Sequence, residues 1–381
     1  MDDTLIEQTF YRPILTRPGG KQLLAELLQL GRGSGLLDPT TFRSSVVLGI
    51  YGICLVLVLW HLWFSEHAAI LIIDYCLISL LISQSGFLAH DALHASISRR
   101  KLVNEIFGQL SMTIIGGMGF REWKTRHLLH HRFCQLEDRD PDMAVGYVAS
   151  LTRQSYTSKT GFSASFGRYQ HRYIWPLTLL FAYSQRHVSQ ACVLKDLSRY
   201  YVDLVFLIGH YFIWWIFPIV ILDVSVLTVA MAYFIPSALL GVHMAAVFWV
   251  NHIGMPLVTN KDTLTFVEHQ VATSRNVRVP QSWDPFFGGL NFQIEHHLLP
   301  GCPSFRLRDL NKLLRPRIEQ EGLPYREMSW PDAFKEIRRH IAAVVNCPGL
   351  IAKEHPERPS STSHEPISSC VSSSDDRAAS T

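Results

Sequence analysis

Residues 68–94 read AAILIIDYCLISLLISQSGFLAHDALH, and the stretch changes character once along its length. From Ala68 to Ala89 it is apolar and long enough to cross a bilayer, which takes about 20 residues. It then ends in His90-Asp-Ala-Leu-His94, two imidazoles four residues apart and so on one face of a helix. A span that delivers paired imidazoles at its end places the chain in lipid and its chemistry at one end of the spans.

Three more stretches meet the same length and hydropathy, Val46 to Phe64, Val202 to Ile221 and Val226 to Val250, in a chain that is 48% hydrophobic over 381 residues. They pair into two hairpins. Ser65, Glu66 and His67 join the first pair, and Leu222, Asp223 and Val224 join the second, too little chain for a domain on that side. Of the 35 Lys and Arg residues, 5 precede the first span, 15 lie between the second and third, and 15 follow the fourth. Neither short loop nor any span holds one, so the positive-inside rule puts the N-terminus, the central segment and the C-terminal region in the cytosol. A soluble protein with buried apolar helices has no reason to sort its basic residues this way. The net charge of +3 gives none for nucleic-acid binding, and the basic residues read as anchors near anionic headgroups. The first 40 residues carry Asp2, Asp3, Glu7 and Glu26 and lack the pattern of a cleavable signal peptide.

Two further clusters, His127-Leu-Leu-His-His131 and Gln293-Ile-Glu-His-His297, repeat the helical spacing of the first and fall in the same compartment. Neutral imidazole is the commonest nitrogen ligand for iron, copper and zinc. Seven histidines are more than one tetrahedral zinc site uses, so two ions are expected. The seven cysteines lack the close pairing of a zinc ribbon. The architecture expected is all-α and integral to the membrane: four transmembrane helices in two hairpins, with a cytosolic helical cap that carries a di-metal site.

The remaining chain divides around that unit. Segment 1–44 is expected to be cytosolic or interfacial, with Leu23 to Leu30 an amphipathic helix resting on the membrane. The membrane unit covers 45–300, a cytosolic helical segment 301–353, and a disordered tail rich in Ser, Pro and Thr 354–381. Ile106 to Phe120 and Tyr173 to Tyr183 are too short to span and are expected at the interface. Gly116-Gly-Met-Gly119 lacks the spacing of a dinucleotide fingerprint. Asp74, His210 and His243 are ionisable groups at membrane depth, read here as interhelical hydrogen-bonding groups.

The chain resembles the membrane fatty acid desaturases from about Gly86 to Pro300. The resemblance is carried by His90-Asp-Ala-Leu-His94, by His127-Leu-Leu-His-His131 with Asp140-Pro-Asp142, by Asn251-His-Ile-Gly-Met-Pro256 and by Gly288-Gly-Leu-Asn-Phe-Gln-Ile-Glu-His-His-Leu-Leu-Pro300. Gln293 stands where many acyl-CoA desaturases have His, a variant similar to that of front-end and some bacterial acyl desaturases. Arg168-Tyr-Gln-His-Arg-Tyr-Ile-Trp-Pro176 and Thr273-Ser-Arg-Asn-Val277 are similar to segments of bacterial members. The resemblance implies a di-iron centre that uses O2 and two electrons to remove two vicinal hydrogens from an acyl chain, leaving a cis double bond. An unactivated methylene offers neither an acidic proton nor a leaving group, so an oxidising metal must carry that step.

Matched residue by residue, the metal ligands implied are His90, His94, His127, His130, His131, His296 and His297, with His252 as an eighth. No catalytic group beyond these ligands is implied. Gln293 lies one turn before His296 and is placed to ligate weakly or to hold a water or an imidazole. Asp91, Glu295 and Asn291 are expected to orient imidazole N–H groups, and Asp140 and Asp142 either do the same or are solvated loop carboxylates. Trp123 and Arg126 stand either near an acyl headgroup or as interfacial anchors. No histidine precedes His61, so a fused cytochrome b5 is not expected, and the electrons are expected from a separate ferredoxin, cytochrome b5 or iron-sulfur reductase. Arg306, Arg308, Lys312, Arg315 and Arg317 form either a dock for an acidic carrier or a solvated helix face. The substrate class implied is an acyl-CoA or acyl-lipid. The same scaffold is similar to that of lipid hydroxylases and ketolases, and a non-enzymatic metal-binding membrane protein is the remaining alternative.

Overall fold

The computed structural model describes residues 20–65, 68–137, 139–143, 149–258 and 264–346. The tail expected over 354–381 and residues 1–19 of the expected segment 1–44 lie outside them. Four helices are long and apolar enough to cross a membrane, as the hydropathy predicts: α2 (Thr41–Phe64), α3 (Ala68–Leu93), α7 (Leu197–Tyr211, continued by a π-helical stretch Phe212–Ile221) and α8 (Val226–His252). Their outward faces carry exposed Ile53, Val56, Leu57, Ile72, Ile73, Val205, Ile208 and Leu227, the belt a lipid-facing stem needs. Inward residues such as Leu55, Leu59, Ile78, Ile82 and Leu240 form the stem's own core.

Polar groups within the spans pair across helices. Asp74 of α3 meets His61 of α2 at 2.7 Å. His210 of α7 reaches the Ile114 carbonyl at 2.8 Å and the Tyr233 hydroxyl of α8 at 2.9 Å. His243 bonds the Phe286 carbonyl at 2.8 Å and stays out of the histidine clusters.

The segment after α3 differs from its expected place at the interface. Helix α4 (Lys101–Gly108) runs into a π-helical turn, Gln109–Ile115, and the chain reverses at Gly116–Gly119 before returning as α5 (Phe120–Phe133). The reversal packs against His210, midway along the span Leu197–Ile221, so the segment folds back against the spans, with Gln109, Ser111 and Thr113 buried and Ile106 and Leu110 on its exposed face. Irregular backbone in such a place survives only with its polar groups paired. Arg186 and Gln190, both on α6 (Phe181–Lys195), donate to the Gly116 and Gly117 carbonyls at 2.7 and 2.9 Å. Gly117 has φ +75°, and a Cβ there would fall 2.7 Å from Nε2 of His210, so only glycine fits the tip.

Beyond the spans sits a helical cap. It contains α9 (Phe266–Thr273), α10 (Gln293–Leu298), α11 (Leu307–Gln320) and α12 (Trp330–Asn346), with one short parallel ladder, β1 (Asn276–Arg278) against β2 (Glu327–Ser329), as an addition to the all-α expectation. Its core joins Val267, Val271, Leu290, Ile294, Leu298, Leu307, Leu310, Leu314, Ile337 and Ile341. Helix α1 (Gly20–Gly33) belongs to this core too: Leu24, Leu27 and Leu28 are buried in it, and Glu26 pairs with Arg317 at 2.7 Å. The amphipathic face expected on the membrane is therefore spent on the cap.

Candidate metal centre

Three helix ends converge under the cap. The end of α3 brings His90 and His94, α5 brings His127, His130 and His131, and the short α10 brings His296 and His297. The approach of α10 to α3 is set by Gly288 and Gly289, both with positive φ. A Cβ on Gly288 would lie 2.3 Å from the Phe87 ring and one on Gly289 2.1 Å from the Ser304 carbonyl oxygen, so the glycines allow the third box to close onto the first.

The ligand atoms fall into two groups. In the first, His90, His94, His127, His131 and His296 are all buried, with their ligating nitrogens gathered together. Nε2 of His127 stands 3.0 Å from that of His90, 3.2 Å from that of His94 and 3.0 Å from that of His131, and Nε2 of His131 is 3.0 Å from that of His296. One nitrogen with at most one proton cannot satisfy three imidazole neighbours, so these are converging lone pairs placed where they could hold a cation between them. The spacing fits one: metal–imidazole bonds of about 2.1 Å set at right angles put the nitrogens about 3.0 Å apart. Burial, reinforced by the neighbouring imidazoles, pushes His94, His127, His131 and His296 well below the ordinary histidine range, which keeps their lone pairs available.

The second group is His130, His252 and His297, with ring centroids 4.8 to 5.1 Å apart. Each presents Nε2 because Nδ1 is engaged by an oxygen. His130 meets Asp140 at 2.9 Å, His252 the Thr273 carbonyl at 3.1 Å, and His297 the side-chain oxygen of Gln270 at 2.7 Å. A ligand imidazole held through its second nitrogen has its tautomer and direction fixed. Nε2 of His297 is buried with no hydrogen-bond partner, the condition of a nitrogen waiting for a cation. Burial opposes charge on His130, but the Asp140 and Asp142 carboxylates outweigh it and raise the imidazole to about 9.

The other expected site residues are placed as follows. Gln293 faces His252, its Nε2 2.9 Å from the imidazole Nε2, while its oxygen accepts from Asn251 at 3.2 Å. Asp140 also accepts from the backbone of Gln135 and Asp142, and Asp142 lies 3.5 Å from His130. Asp91, Glu295 and Asn291 do not touch the imidazoles they were expected to orient. Asp91 accepts from the Ser304 backbone at 3.0 Å and ties α3 to the start of α11. Glu295 accepts from Asn276, Asn311 and Tyr325 at 2.7, 3.1 and 2.6 Å, locking α10 into the cap. Asn291 donates to Asp284 at 3.2 Å. Asp91 and Glu295 leave α3 and α10 toward these partners, and Asn291 lies in the turn that precedes α10. Trp123 stacks on His127 at 5.1 Å and 26°, and Arg126 is buried in an ion pair with Glu122 at 2.6 Å.

Sequence reasoning missed Gln270, Thr273, His269 and Cys134. Gln270 serves two boxes, since its Nε2 also donates to the His131 carbonyl at 3.0 Å, and His269 reaches the Cys134 carbonyl at 2.7 Å. Cys134 lies close enough to be grouped with the second set of ligands, but its Sγ is 3.5 Å from Nδ1 of His252, on the ring's rear side. Burial pushes its thiol well above the ordinary range, so it backs the imidazole as a neutral group. The basic residues of α11 are met internally: Arg308 by Asp284 at 2.5 Å, Lys312 by Asp309 at 2.7 Å, Arg315 by Glu319 and Glu327 at 2.8 and 2.5 Å, and Arg317 by Glu26 at 2.7 Å.

A stem of apolar spans that gathers eight imidazoles beneath a helical cap defines an integral membrane protein with histidine groups that could hold metal. The sequence profile described as fatty acid desaturase matches residues 65–329, and the chain belongs to that family of oxidoreductases. It is similar to Delta(8)-fatty-acid desaturase 2 of Arabidopsis thaliana, 26% identical over 324 residues that cover 78% of this chain and 69% of the relative. The Delta(8)-fatty-acid desaturase of Euglena gracilis is 26% identical over 337 residues, 85% of this chain and 78% of the relative. A Delta 8-(E)-sphingolipid desaturase of Komagataella phaffii is 25% identical over 290 residues, 71% of this chain and 53% of the relative.

Proposed function

We propose that this fatty acyl desaturase is a di-iron enzyme that inserts a cis double bond into a lipid acyl chain. Two vicinal C–H bonds break and one C=C bond forms. O2 accepts the electrons of both hydrogens and two more from a carrier, with two protons, and leaves as two waters. Iron bound at the two histidine groups supplies the oxidising power that no side chain offers an unactivated methylene. His90, His94, His127, His131 and His296 would hold one ion and His130, His252 and His297 the other. The observation that carries this reading is the convergence of Nε2 atoms about 3.0 Å apart, at the spacing of ligands on a shared ion.

The chain's own groups set the stage. Asp140, the Thr273 carbonyl and Gln270 hold protons on Nδ1 of the second group, and the apolar stem offers the acyl tail a path that fixes which carbons meet the centre. The segregation of Lys and Arg supports a site and termini on the cytosolic side, where a ferredoxin, cytochrome b5 or iron-sulfur reductase would deliver electrons. The names of the relatives, fatty-acid and sphingolipid desaturases, extend the substrate choice to sphingolipids.

Total lipid from a host expressing the chain, profiled by mass spectrometry with double-bond localisation against a His130→Ala, His131→Ala double variant, tests the reading. A new unsaturated species in the acyl or sphingoid pool, absent from the variant, is expected. A hydroxylated product in its place would replace desaturation with hydroxylation.

A further inference from the structure

We infer that Arg275, in the Thr273-Ser-Arg-Asn-Val277 segment, is a positioning residue for the second metal: its guanidinium fixes the end of α8 so that His252 points at His130 and His297. This inference rests on the reading of His252 as a ligand.

The last carbonyls of a helix have no partner within it, and here they lie buried next to a ligand. Arg275 is fully buried and answers three of them. Its backbone N–H donates to the Asn251 carbonyl at 3.0 Å, its Nη2 to that of Ile253 at 2.6 Å, and its Nε to that of Val250. The carbonyl between them, that of His252 itself, accepts from the side chain of Gln135. A planar guanidinium suits this task because its N–H groups diverge at fixed angles, and its charge faces the negative end of the helix dipole. Two residues earlier in the same segment, the Thr273 carbonyl receives Nδ1 of His252 at 3.1 Å. One short stretch thus fixes both the backbone that carries the imidazole and the direction of the ring. The first metal group has no such dependence, since none of its five histidines is on α8.

The test uses the full-length, iron-loaded protein in detergent. Arg275→Lys keeps the charge but loses the fork, and Arg275→Met loses both. Iron per chain after a graded chelator challenge, and the Mössbauer spectrum of what remains, are the readouts. One of the two irons is expected to leave Arg275→Lys at about 10- to 100-fold lower chelator than in the parent, and Arg275→Met at lower still, with the other iron's spectral component unchanged. The metal-free Arg275→Lys protein is expected to melt close to the parent, which separates iron loss from unfolding. If Arg275→Met does not fold, the Lys variant decides alone. Retention of both irons at parental chelator concentrations in the folded variants overturns the inference. His252→Ala run in parallel separates the premises: if it also keeps both irons, the ligand reading of His252 fails, whereas if it loses one while the Arg275 variants lose none, only the role of Arg275 fails.

Discussion

At the residue scale, the clustered histidines depend on partners that share no local pattern with them. His90 with His94, and His127 with His130 and His131, were legible because imidazoles three or four residues apart betray themselves within one turn of helix. Gln270 was not, because its bond to His297 closes over 27 residues of chain and exists only once α9 and α10 pack together. Asp91 shows the converse, since its position beside His90 advertises a role that the rotation of α3 denies it. Gln270→Leu keeps the volume but removes the acceptor that fixes the His297 tautomer. Metal affinity measured by chelator competition is expected to fall about 10- to 100-fold, and unchanged affinity would remove Gln270 from the site. Protonation gives a second test on metal-stripped protein. His94, His127, His131 and His296 are held well below 6.5, so below about that pH the unfolded chain binds protons that the fold refuses, and stability falls as pH falls. His130, raised to about 9, works the other way: its contribution is complete below about 6.5 and is lost as pH rises through about 9. The melting temperature of the stripped protein is expected to peak near pH 6.5, and a continued rise toward pH 5 would contradict the burial of neutral imidazoles.

At the scale of elements, α5 is the piece whose position matters most, because it supplies ligands to both groups and is held at each end by other parts of the chain. Its first N–H groups have no cap of their own. Gly119 donates to Ser189 at 2.9 Å, Phe120 to Thr113 at 3.1 Å, and Arg121 and Glu122 to the two oxygens of Asp203 at 3.1 and 3.0 Å. At the far end, Gln270 and His269 take the carbonyls of His131 and Cys134. The hydropathy of Ile106 to Phe120 gave no sign of this, since an apolar run with four glycines reads the same whether it rests at an interface or turns back inside the protein. Only the surrounding donors and acceptors on α6 and α7 distinguish the two. Asp203→Ala leaves the buried N–H of Glu122 and one N–H of the buried Gln109 amide unpaired, a loss of about 1–3 kcal/mol each, and frees the half-buried N–H of Arg121, so the variant is expected to unfold at lower temperature and to hold less metal in both groups. A variant that melts and binds metal like the parent would mean that α5 does not rely on α7 for its start.

Across the whole molecule, the histidine cap and the short loops stand at opposite ends of the stem, and charge says which end faces which compartment. All 35 Lys and Arg residues lie outside the apolar stretches 46–64, 68–89, 202–221 and 226–250 and away from the two short connections. That asymmetry is a property of composition, so it could be read without a structure, whereas the fate of individual charges could not. The basic row on α11, which the sequence leaves as either a docking face or a solvated helix face, is paired with Asp284, Asp309, Glu319, Glu327 and Glu26 from neighbouring positions. A carrier that recognises this face would meet paired charges, so the orientation must be tested by itself. A short epitope inserted between Leu222 and Val224 is expected to be stained on intact cells. The same epitope after Gly322, in the turn that follows α11, is expected to require permeabilisation. Since α8 carries His252 and α3 carries His90 to the same end of the stem, staining at the Gly322 position without permeabilisation would put the histidines outside the cell, away from the reducing carriers the reaction needs. The opposite result leaves the electrons, the metal centre and the membrane's acyl chains within reach of one another at one face of the bilayer.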